Sequence, residues 1–438
     1  MLSPLSNATY RRLFTAQVVA LLGTGLATVA LGLLAHRLGG ASAGEILGIA
    51  FAIKMIAYVA VAPFASALAA NLPRKTLLIG LDLVRAGVAA LLPFVAEAWQ
   101  VYALMTVLYV ASAAFTPAFQ AMIPDILTDE REYTKALSLS RLASDLESVA
   151  SPVIAAVLLA FVAYNDLFAG TAIGFFLSAL MVLSAALRTV RVAQQKTFAQ
   201  RLTIGFRLFA LTPRLRGLVA ISLATAAGGA MVFINTVVIV QTQLSLSEQH
   251  TAWALAAFGL GSMSAAMLVP RMLEDMPDRV VMILGGAMMT AGLIAGFFHH
   301  HGGYYELMVM WFDIGVGYSL TLTPASRALR RSASPEDRPG LFAAYFALSH
   351  ACWLIAYPLA GLVSSTSGTN AAFLVLGILS AVGSLTTWLL WPAHDPETLP
   401  HRHDGLAPED PHLAGGGPEH AHTFVIDDLH RRWPNLRG

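Results

Sequence analysis

Five polar side chains stand inside long apolar runs of this chain and are the first candidates for chemistry: Glu147, Asp313, His350, Asn235 and Lys54. An ionisable group inside a bilayer costs roughly 2.5 to 3.5 kcal/mol on insertion scales, so each needs a partner, a water-filled cavity or a function. Glu147 lies two residues from Asp145, which sends the two carboxylates to different faces of one helix. Asp145 can pair with Arg141 one turn away, which leaves Glu147 without a local partner. A carboxyl group in an apolar cavity can exchange a proton or hold a cation; the alternative is a structural hydrogen bond to a neighbouring helix. Asp313 is alone in its run, and His350 is alone among apolar neighbours with Cys352 two positions on. A lone histidine in a packed helix is ordinarily a hydrogen-bonded core residue. Taken together, Asp313 and His350 on neighbouring helices could share a divalent cation, with Asn235, beyond the Gly228-Gly229 step, as a third ligand. Lys54 is the one basic residue of its helix. It can snorkel outward, sit in a static salt bridge or one that breaks during a cycle, or serve as counter-ion for an anionic substrate. A fixed positive charge beside the route argues against a bare divalent cation as cargo.

A second cluster lies in the last segment, Ala393 to Gly438, which holds seven of the thirteen histidines. His401 with His403 and His420 with His422 form two His-x-His pairs, and His394, His412 and His430 lie around them. Neutral imidazole suits nickel, copper and zinc, and a flexible chain can wrap several around one ion; a merely solvated tail is the competing reading. The segment is polar and rich in Pro and Gly, so it is expected to be disordered. His299-His300-His301 form a separate cluster, expected on the outer side.

The elements that must position these groups are apolar helices. The 438 residues are 56% hydrophobic and 12% charged, half the charged fraction of a soluble domain, which excludes an ordinary soluble enzyme. Net charge is +1, so no basic excess points to nucleic acid, and the single cysteine excludes an internal disulfide. A spanning helix needs about 20 mainly apolar residues. Candidate spans are Leu13 to Ala35, Ile46 to Ala70, Thr76 to Ala96, Trp99 to Ile123, Leu137 to Ala163, Leu167 to Leu187, Leu218 to Val240, Ala252 to Leu268, Val280 to Phe298, Leu307 to Leu322, Leu341 to Val363 and Ala371 to Trp391. The expected fold is therefore an all-α membrane protein of twelve transmembrane helices.

With both termini cytoplasmic, the cytoplasmic connections and ends hold 23 of the 27 basic residues, three lie within spans and only Arg37 faces outside. The connection Arg188 to Gly217 carries seven basic residues and no acidic one, and its middle, around Phe198 to Leu211, is a candidate amphipathic helix on the membrane surface. The halves on either side repeat. Thr116-Pro117-Ala118 returns as Thr323-Pro324-Ala325, Asp129-Glu130-Arg131 as Glu336-Asp337-Arg338, and Asn71-Leu72-Pro73-Arg74-Lys75 faces Asp275-Met276-Pro277-Asp278-Arg279. The expected organisation is an N-terminal six-helix half over 1–187, a basic linker over 188–217, a C-terminal six-helix half over 218–392 and the tail over 393–438.

Two pseudo-repeated six-helix halves joined by a basic linker resemble the major facilitator superfamily over about residues 10 to 392. The signature of that superfamily between its second and third helices is Gly, Asp and Arg followed by a basic pair. Here Arg74 and Lys75 keep the basic pair, but Ala70 and Asn71 stand where Asp and Arg are expected. Asp82 and Arg85, one turn apart in the next helix, could supply part of the charge latch, with Arg141 and Asp145 as further structural charges. Tyr10-Arg11-Arg12-Leu13-Phe14, the Gly23 to Gly32 stretch and Ala136 to Leu142 followed by Asp145-Leu146-Glu147-Ser148 resemble the nickel-resistance exporters of the NreB type. The resemblance implies a secondary active transporter of the inner membrane, exporting a divalent metal, nickel first, in exchange for protons. A proton-coupled exporter of a small organic compound, such as a drug or a siderophore-like chelator, is the alternative. No nucleotide-binding or nucleophile motif is present, so neither catalysis nor a cofactor is expected, and the partners are substrate, protons and lipid. The oligomeric state is not encoded in these features.

Overall fold

A computed structural model of the chain describes residues 3–69, 74–120, 122–127, 129–185, 198–298, 303–334, 337–395, 398–402, 419–426, 429–430 and 433, in some helical stretches by their backbone alone. Fourteen helices run through the described residues: α1 (Ala8–Gly39), α2 (Ala43–Ala69), α3 (Arg74–Leu91), α4 (Ala98–Gln120), the short α5 (Ile123–Ile126), α6 (Glu130–Leu158), α7 (Tyr164–Ser184), α8 (Phe198–Leu211), α9 (Pro213–Val237), α10 (Glu248–Asp275), α11 (Asp278–Phe298), α12 (Tyr304–Leu322), the short α13 (Ala325–Arg330) and α14 (Arg338–Leu390). Two strands follow, β1 (Thr398–Arg402) and β2 (Glu419–Thr423).

Local chemistry sets the helix boundaries. Asn7 caps α1 by accepting from the Thr9 and Tyr10 amides at 3.0 and 3.1 Å, and Asp129 caps α6 through the Glu132 amide at 3.0 Å. Pro213 opens α9, where a missing N–H costs nothing. Gly368, at φ 86° and ψ 161°, breaks the 53-residue α14 into two helical arms; without a Cβ this backbone is free of strain. The expected eleventh and twelfth runs are those arms.

Eight segments are long and apolar enough to cross a membrane, and two of them, Ala8–Val61 and Ala344–Leu390, each hold a pair of helical runs. The expected fifth and tenth runs, in α6 and α12, fall outside these eight. They are the helices that carry Glu147 and Asp313; α6 is described largely by its backbone, and polar residues lower the apolar signal of α12. Large apolar side chains stand open on the perimeter, Phe161 at 83% and Val309 at 69%. A surface of that kind is stable against lipid rather than water.

Helices α1, α2, α3, α4, α6 and α7 pack among themselves, as do α9, α10, α11, α12 and α14. The two sets meet along two seams, α2 against α14 and α6 against α10. The first seam is a backbone contact. A Cβ on Gly361 would lie 2.3 Å from the Gly44 carbonyl oxygen, and one on Gly48 would lie 3.0 Å from that of Tyr357. Near the same end Thr242 Oγ1 lies 3.5 Å from His36 Nδ1.

Helix α8 packs one face on protein, where Leu208 and Phe209 are buried and Phe209 stacks on Tyr345 at 6.3 Å, while Phe206 stays 39% exposed. The tail is not wholly unstructured. Its strands pair antiparallel, with His401 opposite His420 and Leu399 opposite His422. Leu399, Phe424 and Ile426 are buried in the same core cluster as the helices. Asp395 anchors the segment, joined to the buried Arg214 at 3.0 Å and accepting from the Trp391 indole at 3.0 Å. Trp433 lies over the Arg214 guanidinium at 5.0 Å. Burial of these apolar side chains and pairing of a buried arginine outweigh the ordering entropy that the polar composition alone suggested would win.

Candidate functional site

Lys54 lies at the middle of α2 and does not snorkel. Its ammonium sits among three rings, 5.9 Å from the centroid of Phe51, 5.8 Å from Tyr58 and 5.8 Å from Tyr109. Phe51 and Tyr58 share its helix and Tyr109 comes from α4, so the α2–α4 contact builds the cage. Cation–π attraction stabilises an ammonium in such a setting. The charge that acts on Lys54 is Glu147 of α6, with no direct ion pair between them.

Glu147 faces α1. A Cβ on Gly25 would lie 2.7 Å from Glu147 Oε1 and 1.9 Å from Ser151 Oγ, so glycine at position 25 lets the carboxylate helix approach. Lys54, Tyr58, Glu147, His350 and Trp353 all keep partial accessibility at mid-helix positions. Tyr58 meets Phe346 and His350 across the two helix sets, so these partly accessible side chains lie at the interface of the sets.

The opposite wall comes from α14. Phe346, His350, Trp353 and Tyr357 follow one another at spacings of four, three and four, which is one helical face. The His350 ring lies 5.5 Å from Tyr58 and 3.9 Å from Phe346, whose carbonyl accepts from Nδ1 at 2.7 Å. Phe51 meets Tyr357 at 5.0 Å, Trp353 meets Tyr357 at 4.9 Å, and Tyr318 of α12 meets Trp353 at 6.3 Å. The rings thus run from one helix set into the other. Of these residues, sequence reasoning singled out Lys54, Glu147 and His350 and missed the aromatics. Their signal was the repeating helical spacing of rings inside a run that otherwise read as lipid-facing.

Other singled-out residues go elsewhere. Asp82 and Arg85 form a buried ion pair with each other, Asp82 also accepts from Ser178 at 2.7 Å, and the guanidinium lies over Phe115 and Phe175 at 4.1 and 4.4 Å. Asn235 is fully buried beside the glycine seam, donating to the Ala360 carbonyl at 3.4 Å with its Oδ1 unsatisfied. Asp313 lies toward Gly292 of α11, 3.9 Å from where a Cβ there would sit. Asp313, His350 and Asn235 therefore have three different sets of neighbours, and the expected shared cation site is not assembled. Among the described residues no three His, Cys, Asp or Glu side chains converge as metal ligands. Lys75 donates to the Ala185 carbonyl at 2.8 Å. The side chains of Arg74, Arg141, Asp145, His401, His420 and His422 lie outside the described residues, as do His403 and His412 altogether and the 299–301 cluster.

A larger charged cluster stands in the C-terminal helix set. Buried Asp278 pairs with Arg327 at 3.3 Å and Arg331 at 3.2 Å, and Arg331 also reaches the Asp395 carbonyl at 3.0 Å. In the repeat alignment Asp278 faces Arg74 of the first half.

Comparison with known proteins agrees with this architecture. The family model described as Major Facilitator Superfamily matches residues 13–234 and again 218–421. An uncharacterized MFS-type transporter, YfiS, of Bacillus subtilis (strain 168) is 24% identical over 364 residues, covering 78% of this chain and 83% of the relative. Among solved structures, a mutant of the nucleoside transporter NupG superposes with a TM-score of 0.71 at 13% identity, covering 88% of this chain and 100% of that one. A bacterial homolog of the human lysosomal transporter Spinster, inward-facing and unoccupied, gives 0.67 at 12% identity over 88% and 98%. A D-xylose–proton symporter gives 0.65 at 13% identity, again over 88% and 98%.

Proposed function

The chain belongs to the Major Facilitator Superfamily and is an integral membrane protein of the bacterial inner membrane, a secondary transporter and not an enzyme; from that premise we propose that it carries a small organic compound by proton-coupled alternating access. In this reading twelve helices, counting the two arms of α14, form two pseudo-repeated six-helix bundles with both termini in the cytoplasm. The bundles rock about the space between Lys54 and Glu147. On that orientation the glycine seam closes the outer end. Glu147 is the proton site, as the one accessible carboxyl group among the described residues of that space.

The observation that carries the cargo assignment is the Lys54 cage. An ammonium held among aromatic rings repels a bare divalent cation, while the rings offer stacking surface to an organic solute. Solved proteins of the same fold carry nucleosides and D-xylose. The nickel reading keeps one supporting observation, the strand register that sets His401 opposite His420 in the tail. It favours a metal contact in the tail over one on the transport route, and the outward direction of transport rests on the NreB resemblance alone.

The test is uptake by sealed proteoliposomes under an imposed pH gradient, run with organic solutes and with nickel in parallel. Gradient-dependent flux of an organic solute, abolished in Glu147→Gln, is expected. Nickel flux that follows the pH gradient and vanishes in Glu147→Gln would overturn the assignment.

A further inference from the structure

The charges between the two helix sets limit what can be carried there and with what sign of coupling. Lys54 and Glu147 sum to zero when both are ionised. Among the described residues, the other titratable groups facing them are these. Helix α3 brings Asp82 and Arg85, already paired to each other. Helix α2 adds Tyr58 and α4 adds Tyr109. From α14 come Tyr357 and His350, the latter bonded to its own helix through the Phe346 carbonyl, and α12 adds Tyr318. Helix α1 has no ionisable residue between Arg12 and His36, and α10 has none between His250 and Arg271.

An apolar cavity tolerates an ion pair far better than a net charge. A cationic substrate beside Lys54 and ionised Glu147 would leave a net positive charge. An anionic substrate would leave a net negative one unless a proton joined Glu147. The second imbalance is relieved by a proton on Glu147, whose carboxyl group is accessible. The rings from both helix sets, Tyr58, Phe346, Trp353 and Tyr357, add flat apolar walls beside the ammonium.

We propose that Lys54 and Glu147 are a charge-exchange pair that binds an organic anion with a planar apolar body together with one proton: the anion replaces the Glu147 carboxylate as counter-charge to Lys54, and the displaced carboxylate takes the proton from water. The inference rests on the organic-cargo reading above and adds its charge, its shape and the sign of coupling. Anion and proton travel the same way, so an inward proton gradient drives uptake. In the free protein Glu147 stays ionised and balances Lys54; in the loaded protein the substrate does so and Glu147 is neutral. Each state is electrically balanced and each can reorient, whereas a half-loaded state carries a net charge and cannot.

The test uses the purified full chain in detergent with benzoate, salicylate and nicotinate as probes, their amides as neutral controls and benzylammonium as the cationic control. Binding is read from indole fluorescence, and proton uptake from a pH indicator in weak buffer. Carboxylates are expected to bind at least tenfold tighter than amides, taking up one proton per molecule bound, with apparent affinity falling about tenfold per pH unit where Glu147 is ionised in the free protein. Lys54→Gln should bind the carboxylates about 10- to 100-fold more weakly, the worth of one charge-assisted hydrogen bond. Lys54→Arg, which keeps the charge, should restore most of the affinity and so separates misfolding from loss of the contact. Glu147→Gln should still bind but take up no proton. Binding of the amides or benzylammonium in preference to every carboxylate, proton release on binding, or unchanged affinity in Lys54→Gln would overturn the charge-exchange pair while leaving organic cargo standing. Failure of every organic probe alongside binding of nickel would overturn both.

Discussion

Two buried charge arrangements in one helix set follow opposite designs. Arg85 has a carboxylate in contact, a hydroxyl backing that carboxylate and two aromatic faces, whereas Lys54 has rings around it and its carboxylate at a remove. A charge with its counter-ion in contact is structural, and one whose counter-ion stands at a remove is available. Removing one member of a buried pair strands the other, at about 3–5 kcal/mol. Asp82→Ala should therefore lower the melting temperature of the purified protein sharply, and Asp82→Ala with Arg85→Met should recover much of the loss because no charge is left stranded. A double variant no more stable than Asp82→Ala would show that the pair does something other than neutralise itself. Trp311 offers a smaller test: its buried indole donates to Thr236 at 2.7 Å, so Thr236→Val should cost about 1–3 kcal/mol in denaturant unfolding. The sequence flagged Asp82 and Arg85 because they are charged and one turn apart. It did not flag Tyr109 or Tyr357, because an aromatic in an apolar run has the same signature whether it faces lipid or a lysine.

Among elements, the α2–α14 seam decides which end of the molecule is shut. Helices come this close only where one carries no side chain, and Gly361 lies against the Gly44 carbonyl. Gly361→Val cannot be accommodated with the seam closed, so it should shift the population toward conformers open at that end. Asn235 lies fully buried beneath the seam, which provides the readout. In a Cys352→Ser background, Asn235→Cys should react slowly with a membrane-impermeant thiol reagent, and adding Gly361→Val should raise the rate at least tenfold. An unchanged rate would mean that the seam is not the gate. The sequence marked the helical runs well because hydrocarbon thickness sets their length. It marked the runs of α6 and α12 with the rest, although both carry charged residues among their apolar ones.

At the scale of the whole molecule, the tail belongs to the helical body. Arg214 opens α9 and Asp395 follows α14, so their ion pair, with Trp433 over the guanidinium, ties the chain's last segment to the C-terminal helix set. Arg214→Gln should free the tail and raise the rate of tryptic cleavage at Arg402 several-fold. If cleavage stays slow, the strands and Phe424 hold the tail without this anchor. Composition alone pointed to disorder, because the segment is polar and rich in Pro and Gly; in its described part, Leu399, Phe424 and Ile426 are ordered by a surface that distant helices contribute.

What the sequence determined by itself was what the bilayer imposes locally. Apolar run length, the uneven placement of basic residues and the repeat across a basic linker each depend on residues near one another in the chain, and they sufficed for an all-helical membrane transporter of this family. Tertiary structure alone decided which isolated polar groups meet. Glu147 came within electrostatic reach of Lys54, Asp313 and His350 went to different neighbours, and Asp82 closed on Arg85. The physical reason is that a buried charge is settled by whatever lies within a few ångströms across a helix interface, and that depends on crossing angles and small-residue seams which no single run of sequence contains.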